Sequence, residues 1–480
     1  MPERPNILFI MADQFRGDCL GIDPHCPDTD AGGPLVHTPT LNDVAANGTL
    51  FSRAYSPSPV CVPARRCLWT GQTAATNGCL AGNDSDRWDF EHTLPDELRR
   101  AGYQTRLVGK SHSQPLKRGS THRTIFGFDD MDLHVGSSVY EDDYSHWLYS
   151  RREDDQRAHG LAHGGWDARP WHLDEEEHPT NWTTRQALEF LERRDDNRPF
   201  FLALSYVRPH PPLDPPRAYW EQYIDTDLPD PSIGDWVDDL FGDIIPEFPA
   251  SSWLADVPAD RVHRARAAYY GLITHIDAQI HRVLYALNWV HHANRDTIVV
   301  FTADHGEMLG DHCHWGKQYA FEGSARIPLV LSVPDAIAED HDLDQPATSD
   351  APVGLEDVMP TLLSLADVDV PDTVEGRDLR DVLAGDRRPY YHGELGPYES
   401  GHRKANQFLV DESTKYVWFP ATGDELLFDL EDDPDETTNL AVDPTYEGEV
   451  ADWRDRLVET LTDHPAGLVE DGSLAPVGSA

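Results

Sequence analysis

Aliphatic runs at residues 7–12, 104–109, 200–207, 297–302 and 328–333, parted by stretches of helical spacing, constrain this chain more than any other feature. That alternation argues for an α/β fold with a doubly wound sheet sandwiched by helices. Between the runs, apolar spacing predicts helices over 94–101, ending at Gly102, over 184–194, and over 259–287 with an internal break. From about Gly385 the pattern changes to short strands at 390–394, 407–410, 416–419 and 426–430, then a helix over 446–462. A large domain over 1–385 and a small C-terminal α+β subdomain over 386–480, with an antiparallel sheet under a covering helix, are therefore expected. The stretch from Pro465 reads as a loose tail. Two segments rich in Asp, Glu, His, Trp and Gly, at about 113–180 and 225–258, read as insertions at the rim of the sheet, where loops serve as lids or walls as readily as solvated surface.

The chemistry concentrates at Ser58-Pro59-Val60-Cys61-Val62-Pro63-Ala64-Arg65, followed by Thr70-Gly71. Pro63 suits a first helical turn, where its missing N–H costs nothing. A thiol at that helix start, beside backbone donors and Arg65, would sit in positive potential fit for a phosphate or sulfate ester. A lone Cys in such a loop is more often an inert buried thiol, and it is the Pro and Arg that shift the balance.

Cys61-Val62-Pro63-Ala64-Arg65 resembles the motif of the sulfatase family, in which the Cys is oxidised to Cα-formylglycine. Three further segments carry the likeness almost to the end of the chain. Residues 5–14, Pro-Asn-Ile-Leu-Phe-Ile-Met-Ala-Asp-Gln, resemble the family's opening strand with its metal-binding Asp13 and Gln14. Residues 302–317 resemble its second metal segment, with Asp304 and His305, and its sulfate-binding lysine, Lys317. Residues 425–440, Glu-Leu-Leu-Phe-Asp-Leu-Glu-Asp-Asp-Pro-Asp-Glu-Thr-Thr-Asn-Leu, resemble its C-terminal hallmark. The resemblance implies an alkaline-phosphatase-like fold, the 1–385 part being catalytic.

By the same resemblance, Gly109-Lys110-Ser111-His112 and Pro209-His210-Pro211-Pro212 supply further site residues, with Ser111 departing from the family's aromatic. One divalent ion would be held by Asp13, Gln14, Cys61, Asp304 and His305. Oxygen donors with one imidazole suit Ca²⁺, with Mn²⁺ or Mg²⁺ as alternatives. Lys110, His210 and Lys317 would bind sulfate oxygens, His112 would contact the formylglycine hydroxyl, and Asn83 would touch the substrate. The implied reaction is sulfate monoester hydrolysis: a hydroxyl of the hydrated aldehyde attacks sulfur, Arg65, Lys110 and Lys317 offset charge, and His210 or Lys317 protonates the departing alcohol. His112 then takes the proton that lets sulfate leave. An enzyme that matures Cys61 is required. His305 stands where many arylsulfatases have Asn and where choline sulfatase, iduronate sulfatase and phosphonate monoester hydrolase types have His, which points away from simple aryl sulfates. A phosphodiesterase or phosphonate monoester hydrolase is the nearest rival, and a non-catalytic anion-binding protein is a more distant one. Metal-dependent phosphatases of this kind carry Ser or Thr where Cys61 stands. His159, His163, His172 and His178 match no motif and read as surface residues.

Charge narrows the partners: 85 acidic against 39 basic residues give a net charge of −46. Such a surface repels nucleic acid and anionic membrane; the partner that the resemblance implies is a small-molecule or saccharide sulfate ester, with an oligomer compatible. It fits a halophilic protein in molar salt, where a screening length of about 3 Å weakens self-repulsion. Lysine is scarce, at Lys110, Lys117, Lys317, Lys404 and Lys415, so each is a stronger functional candidate than usual. The six cysteines lack the spacing of a disulfide or zinc framework. No signal-like or membrane-spanning apolar segment is evident, and a soluble cytoplasmic protein is expected.

Overall fold

In a computed structural model the chain is described over residues 4–29, 32–81, 90–112, 127–136, 142–151, 161, 165–243, 245, 253–290, 296–396 and 405–477. In chain order the large sheet comprises β1 (Asn6–Asp13), β2 (Thr49–Phe51), β3 (Gln104–Gly109), β4 (Asp130–Leu133), β5 (Phe200–Pro209), β6 (Thr297–Thr302), β7 (Leu329–Ser332) and β8 (Ala347–Ser349). Their spatial order is β8-β2-β7-β6-β1-β5-β3-β4. Strand β1 lies between β5 and β6 and runs parallel to both, β3 runs parallel to β5 and β4, and β7 is antiparallel to β6 and β2.

Helices cover both faces: α1 (Cys61–Thr70), α2 (Leu94–Arg100) and Val358–Leu365 on one, α3 (Pro179–Arg193) and α4 (Ala259–Tyr285) on the other. A central strand so enclosed has no wet face, which is why Ile7 through Ala12 are apolar at every position and fully buried. The mixed α/β architecture expected from the alternation is therefore present. Helix α4 runs unbroken, correcting the expected interruption. It contains no proline, and Gly271 lets it pack closely on the Tyr219 backbone. The edge strands β4 and β8, and β2 beside β8, are short and were not anticipated.

The second sheet is antiparallel, in the order β9 (Tyr391–Leu395), β10 (Asn406–Val410), β11 (Thr414–Trp418), β12 (Glu425–Asp429), and α5 (Glu447–Leu461) covers it. Alternation assigns its two faces. Phe408, Val410, Val417, Leu426 and Phe428 pack toward Tyr55, Trp236 and Phe321. Leu409, Tyr416, Trp418 and Leu427 pack under Val450, Trp453 and Leu457 of α5. Within the 225–258 segment, Trp236, Val237 and Phe241 are buried in the first of these clusters, so these residues pack against the second sheet; residues 244 and 246–252 lie outside the described residues. The terminal stretch is also docked: Leu468 is fully buried, Val469–Glu470 pairs with Ser473–Leu474, and Val477 N–H bonds to Pro420 O. All six cysteines are free thiols. Among the described residues no helix is long and apolar enough to cross a membrane.

Candidate active site

Strands β6, β1, β5 and β3 are neighbours running the same way, so their carboxyl ends open on one rim, where ligands bind in open α/β sheets. Asp13 and Gln14 end β1, Asp304 and His305 follow β6, His210 follows β5, and Lys110 and His112 follow β3. A bulge between Ala12 and Asp13, then a left-handed Gln14 (φ +67°), turns the chain out of the sheet at its two polar residues. Cys61 reaches the same rim as the first residue of α1. Pro63 lies in that helix's first turn, and Gly71 in left-handed conformation ends it, its N–H closing on Cys67 O at 2.8 Å.

These residues converge. Cys61 Sγ lies 2.8 Å from Lys317 Nζ, 3.5 Å from Lys110 Nζ, 3.2 Å from His305 Nε2 and 3.9 Å from Asp13 Oδ1. Lys110 Nζ also pairs with Asp13 Oδ2. Lys317 Nζ donates to Gln14 Oε1 at 3.2 Å, and the His112 ring hydrogen-bonds Cys61. Asn83, His159 and His163 lie outside the described residues. His172 is exposed as expected, but His178 is not: it is fully buried, its Nδ1 accepting from Thr180 N–H at the start of α3.

Arg65 meets both carboxylates expected to hold the cation. Its Nε donates to Asp304 Oδ2 at 2.9 Å and its Nη2 to Asp13 Oδ2 at 3.3 Å, while Nη1 serves Lys110 O at 2.8 Å and Ser205 Oγ at 2.9 Å. The guanidinium therefore braces the two carboxylates.

The donor set fits a divalent cation. Asp13, Cys61, Asp304 and His305 are buried, and each offers one atom to a group lying within 4.8 Å of one another. His305 Nδ1 meets Gly306 O at 2.9 Å; since a carbonyl only accepts, that nitrogen carries a proton, and Nε2 is turned toward Cys61 and Asp304. Gln14 is oriented by its Nε2 donating to Glu307, whose other oxygen accepts from Leu309 and Gly316 N–H. Sequence reasoning did not single out Glu307 or Ser205, although Glu307 stands within the segment compared with the family.

Electrostatics follow from packing acids, cations and a thiol into one dry place. Burial and Cys61 push the Asp13 carboxyl up, yet Lys110, His210 and Lys317 outweigh them and hold it well below the carboxylate range. Burial likewise raises Cys61, and Lys110, Lys317 and His305 bring it well below an ordinary thiol, favouring the anion. His210 is depressed by burial, then by Lys317 and Lys110, and its Nδ1–H is committed to Pro211 O at 2.7 Å. His112 is depressed by burial and Lys110, and its buried Nδ1 has no hydrogen-bond partner among the described residues.

The family model described as Sulfatase matches residues 5–368, and one described as N-sulphoglucosamine sulphohydrolase, C-terminal, matches residues 310–463. The chain is 36% identical to an arylsulfatase of Clostridium perfringens, covering 98% of this chain and 97% of that protein. It is 30% identical to a choline-sulfatase of Rhizobium meliloti, covering 92% and 83%. Among solved structures it resembles a phosphonate monoester hydrolase of Agrobacterium radiobacter, with a TM-score of 0.78, 27% identity, and coverage of 98% and 99%.

Proposed function

Since the chain belongs to the sulfatase family of sulfuric ester hydrolases, we propose that it hydrolyses a sulfate monoester of a small molecule or saccharide, with Cys61 converted to formylglycine as the nucleophile. One observation carries this reading: Cys61 Sγ lies against two lysines and inside the buried carboxylate and imidazole cluster. Asp13, Gln14, Asp304 and His305 would hold the cation, Ca²⁺ in this proposal. When present, the cation and the hydrated aldehyde supply an oxygen nucleophile acidic enough to act near neutral pH and a route by which sulfate is expelled.

The side chains of this protein do the rest. Arg65 fixes the facing carboxylates of Asp13 and Asp304. Lys110 and Lys317 receive the sulfate oxygens and offset charge on the transferring group. Lys317 is also assigned protonation of the departing alcohol, its ammonium lying 2.8 Å from the atom at the nucleophile position. Neutral His210, its Nδ1–H already spent on Pro211 O, orients the group. His112, kept neutral and with an unpartnered Nδ1, is the base that accepts the final proton. Asn83 is assigned a substrate contact from the resemblance alone. Residues 1–385 form the catalytic domain and 386–480 the smaller one. The remaining parts of the reading are a cytoplasmic, high-salt setting and a maturation enzyme acting on Cys61.

The likeness to a phosphonate monoester hydrolase supports a second reading, hydrolysis of phosphonate monoesters or phosphate diesters at the same site. Two experiments decide. Mass spectrometry of the Cys61 peptide from active native protein should show the aldehyde, and full activity with intact cysteine overturns the mechanism. Parallel assays on sulfate monoesters, phosphonate monoesters and phosphate diesters should favour sulfate, and preference for either phosphorus ester selects the second reading.

A further inference from the structure

One scarce lysine takes no part in the site. Lys415, on β11 of the second sheet, is fully buried, and burying an ammonium costs several kcal/mol unless it is paired and hydrogen-bonded. Here its three donors are matched: Ala320 O at 2.8 Å, Glu322 Oε1 at 2.6 Å and Glu436 Oε1 at 2.9 Å. The rings of Tyr55 and Phe408 flank it at 5.5 and 5.8 Å. Glu436 belongs to the C-terminal segment singled out in the sequence, and its other oxygen accepts from Glu322 N–H at 2.7 Å.

Ala320 and Glu322 lie just beyond Lys317, so this buried network grips the chain that presents the site lysine. Of the two residues between Lys317 and Ala320, the first is held from both sides as well. Gln318 donates its N–H to Pro59 O at 3.1 Å, just ahead of Cys61, and its carbonyl accepts from Asn406 Nδ2 of β10 at 2.9 Å. Gln318 has φ +90°, a left-handed conformation that a side-chain-bearing residue keeps only where its surroundings enforce it. The segment before Cys61 is tied to the same sheet, Glu394 N–H of β9 donating to Pro57 O at 2.9 Å.

We propose that Lys415, acting through Glu322 and Glu436, is a positioning residue for Lys317, so that the C-terminal sheet aims the sulfate-binding lysine without touching substrate. The inference rests on the reading of Lys317 as a sulfate-binding group. A small displacement of a reacting or binding group is enough to cost orders of magnitude in rate, so a remote brace of this kind is kinetically visible.

The test is a double-mutant cycle on the full chain, with Lys415→Met, Lys317→Ala and both together. The readouts are affinity for inorganic sulfate by titration calorimetry and kcat/KM on p-nitrophenyl sulfate, per folded molecule and well below the unfolding midpoint. Lys415→Met should weaken both by about tenfold in the parent, and by less than about twofold where Lys317 is already Ala, because partners acting as one unit are not additive. Equal losses in the two backgrounds overturn the proposal, since a purely structural defect would multiply. If Lys415→Met does not fold, Glu436→Gln, which keeps the shape of the side chain, takes its place in the same cycle and is judged by the same criterion. If Lys317→Ala alone leaves sulfate affinity and turnover unchanged, the reading of Lys317 is what fails, and the positioning role falls with it.

Discussion

Replacing His312 by Gln should make the protein less sensitive to acid, by an amount the structure sets. His312 is almost wholly buried between Trp236 and Phe321, and its Nδ1 accepts Gly234 N–H at 3.1 Å, which demands an unprotonated nitrogen. Burial, opposed by Asp311 and aided by Arg16, brings its pKa from 6.5 down to about 4. A folded value below the unfolded one means that the unfolded chain binds the extra proton. The contribution is therefore intact above pH 6.5 and is lost as pH falls from 6.5 toward 4. Between about pH 7.5 and pH 4.5 the parent should lose between about 2 and 3 kcal/mol from this residue alone, at about 1.4 kcal/mol per pKa unit. A cation–π contact of the protonated ring with Trp236 pulls the figure toward the lower end. The parent's own pH profile does not isolate this effect, because buried Glu356, pushed up to about 8 by burial and Asp357, acts with the opposite sign. The difference between parent and variant does isolate it. Urea unfolding of both proteins across that range should show the stability gap shrinking by the stated amount, and parallel curves would refute a buried neutral His312.

Chelation should lower the unfolding temperature as well as abolish turnover, because it leaves Asp13 and Asp304 with only Arg65 and Lys110 to offset their charge. Restoration by Ca²⁺ but not Mg²⁺, followed by thermal shift, would support calcium, and a midpoint indifferent to chelator would refute the site. Asp214→Asn leaves Arg208 buried without the carboxylate it now meets at 2.7 and 2.9 Å, a loss of about 3–5 kcal/mol for breaking a buried pair. Because Arg208 also reaches His210 O at 3.4 Å, KM should rise too, and urea midpoints with steady-state kinetics check both. For the surface, the unfolding temperature should climb steadily from about 0.1 M to about 1 M NaCl as the screening length falls from about 10 to about 3 Å, and a flat response would refute the halophilic reading.

What could be read from the sequence and what could not divide along physical lines. Strand β1 is legible because a strand enclosed on both faces must be apolar throughout, whereas β4, Asp-Met-Asp-Leu at an edge, has the composition of an acidic loop and takes its identity from pairing with β3. The strands of the second sheet were placed to within a residue or two because each alternates between two buried faces. At the site, the residues that close on Cys61 stand at strand ends inside short motifs, so local sequence names them. Side-chain direction is not local. Which groups Arg65 braces depends on Asp13, Ser205 and Asp304, which only the assembled sheet brings beside it. The same holds for Lys415, whose three acceptors come from two segments remote from it in sequence or reached only through the fold.

The charge distribution reconciles an acidic protein with an anionic substrate. Lys110 and Lys317 are buried at the centre of the rim, while the net charge of −46 is carried largely by exposed carboxylates. An approaching sulfate ester is repelled once it comes within a screening length of the acidic exterior, and attracted only when it reaches the lysines. At about 0.15 M salt that length is about 8 Å, so the exterior still opposes entry; at about 1 M it is about 3 Å, and only the local cations act. Salt should therefore speed capture of the anion here, the reverse of its effect on enzymes that steer an oppositely charged substrate. The buried lysines, desolvated and held by Gln14 and Asp13, keep their attraction when the bulk is screened, because little electrolyte penetrates between them and the ester.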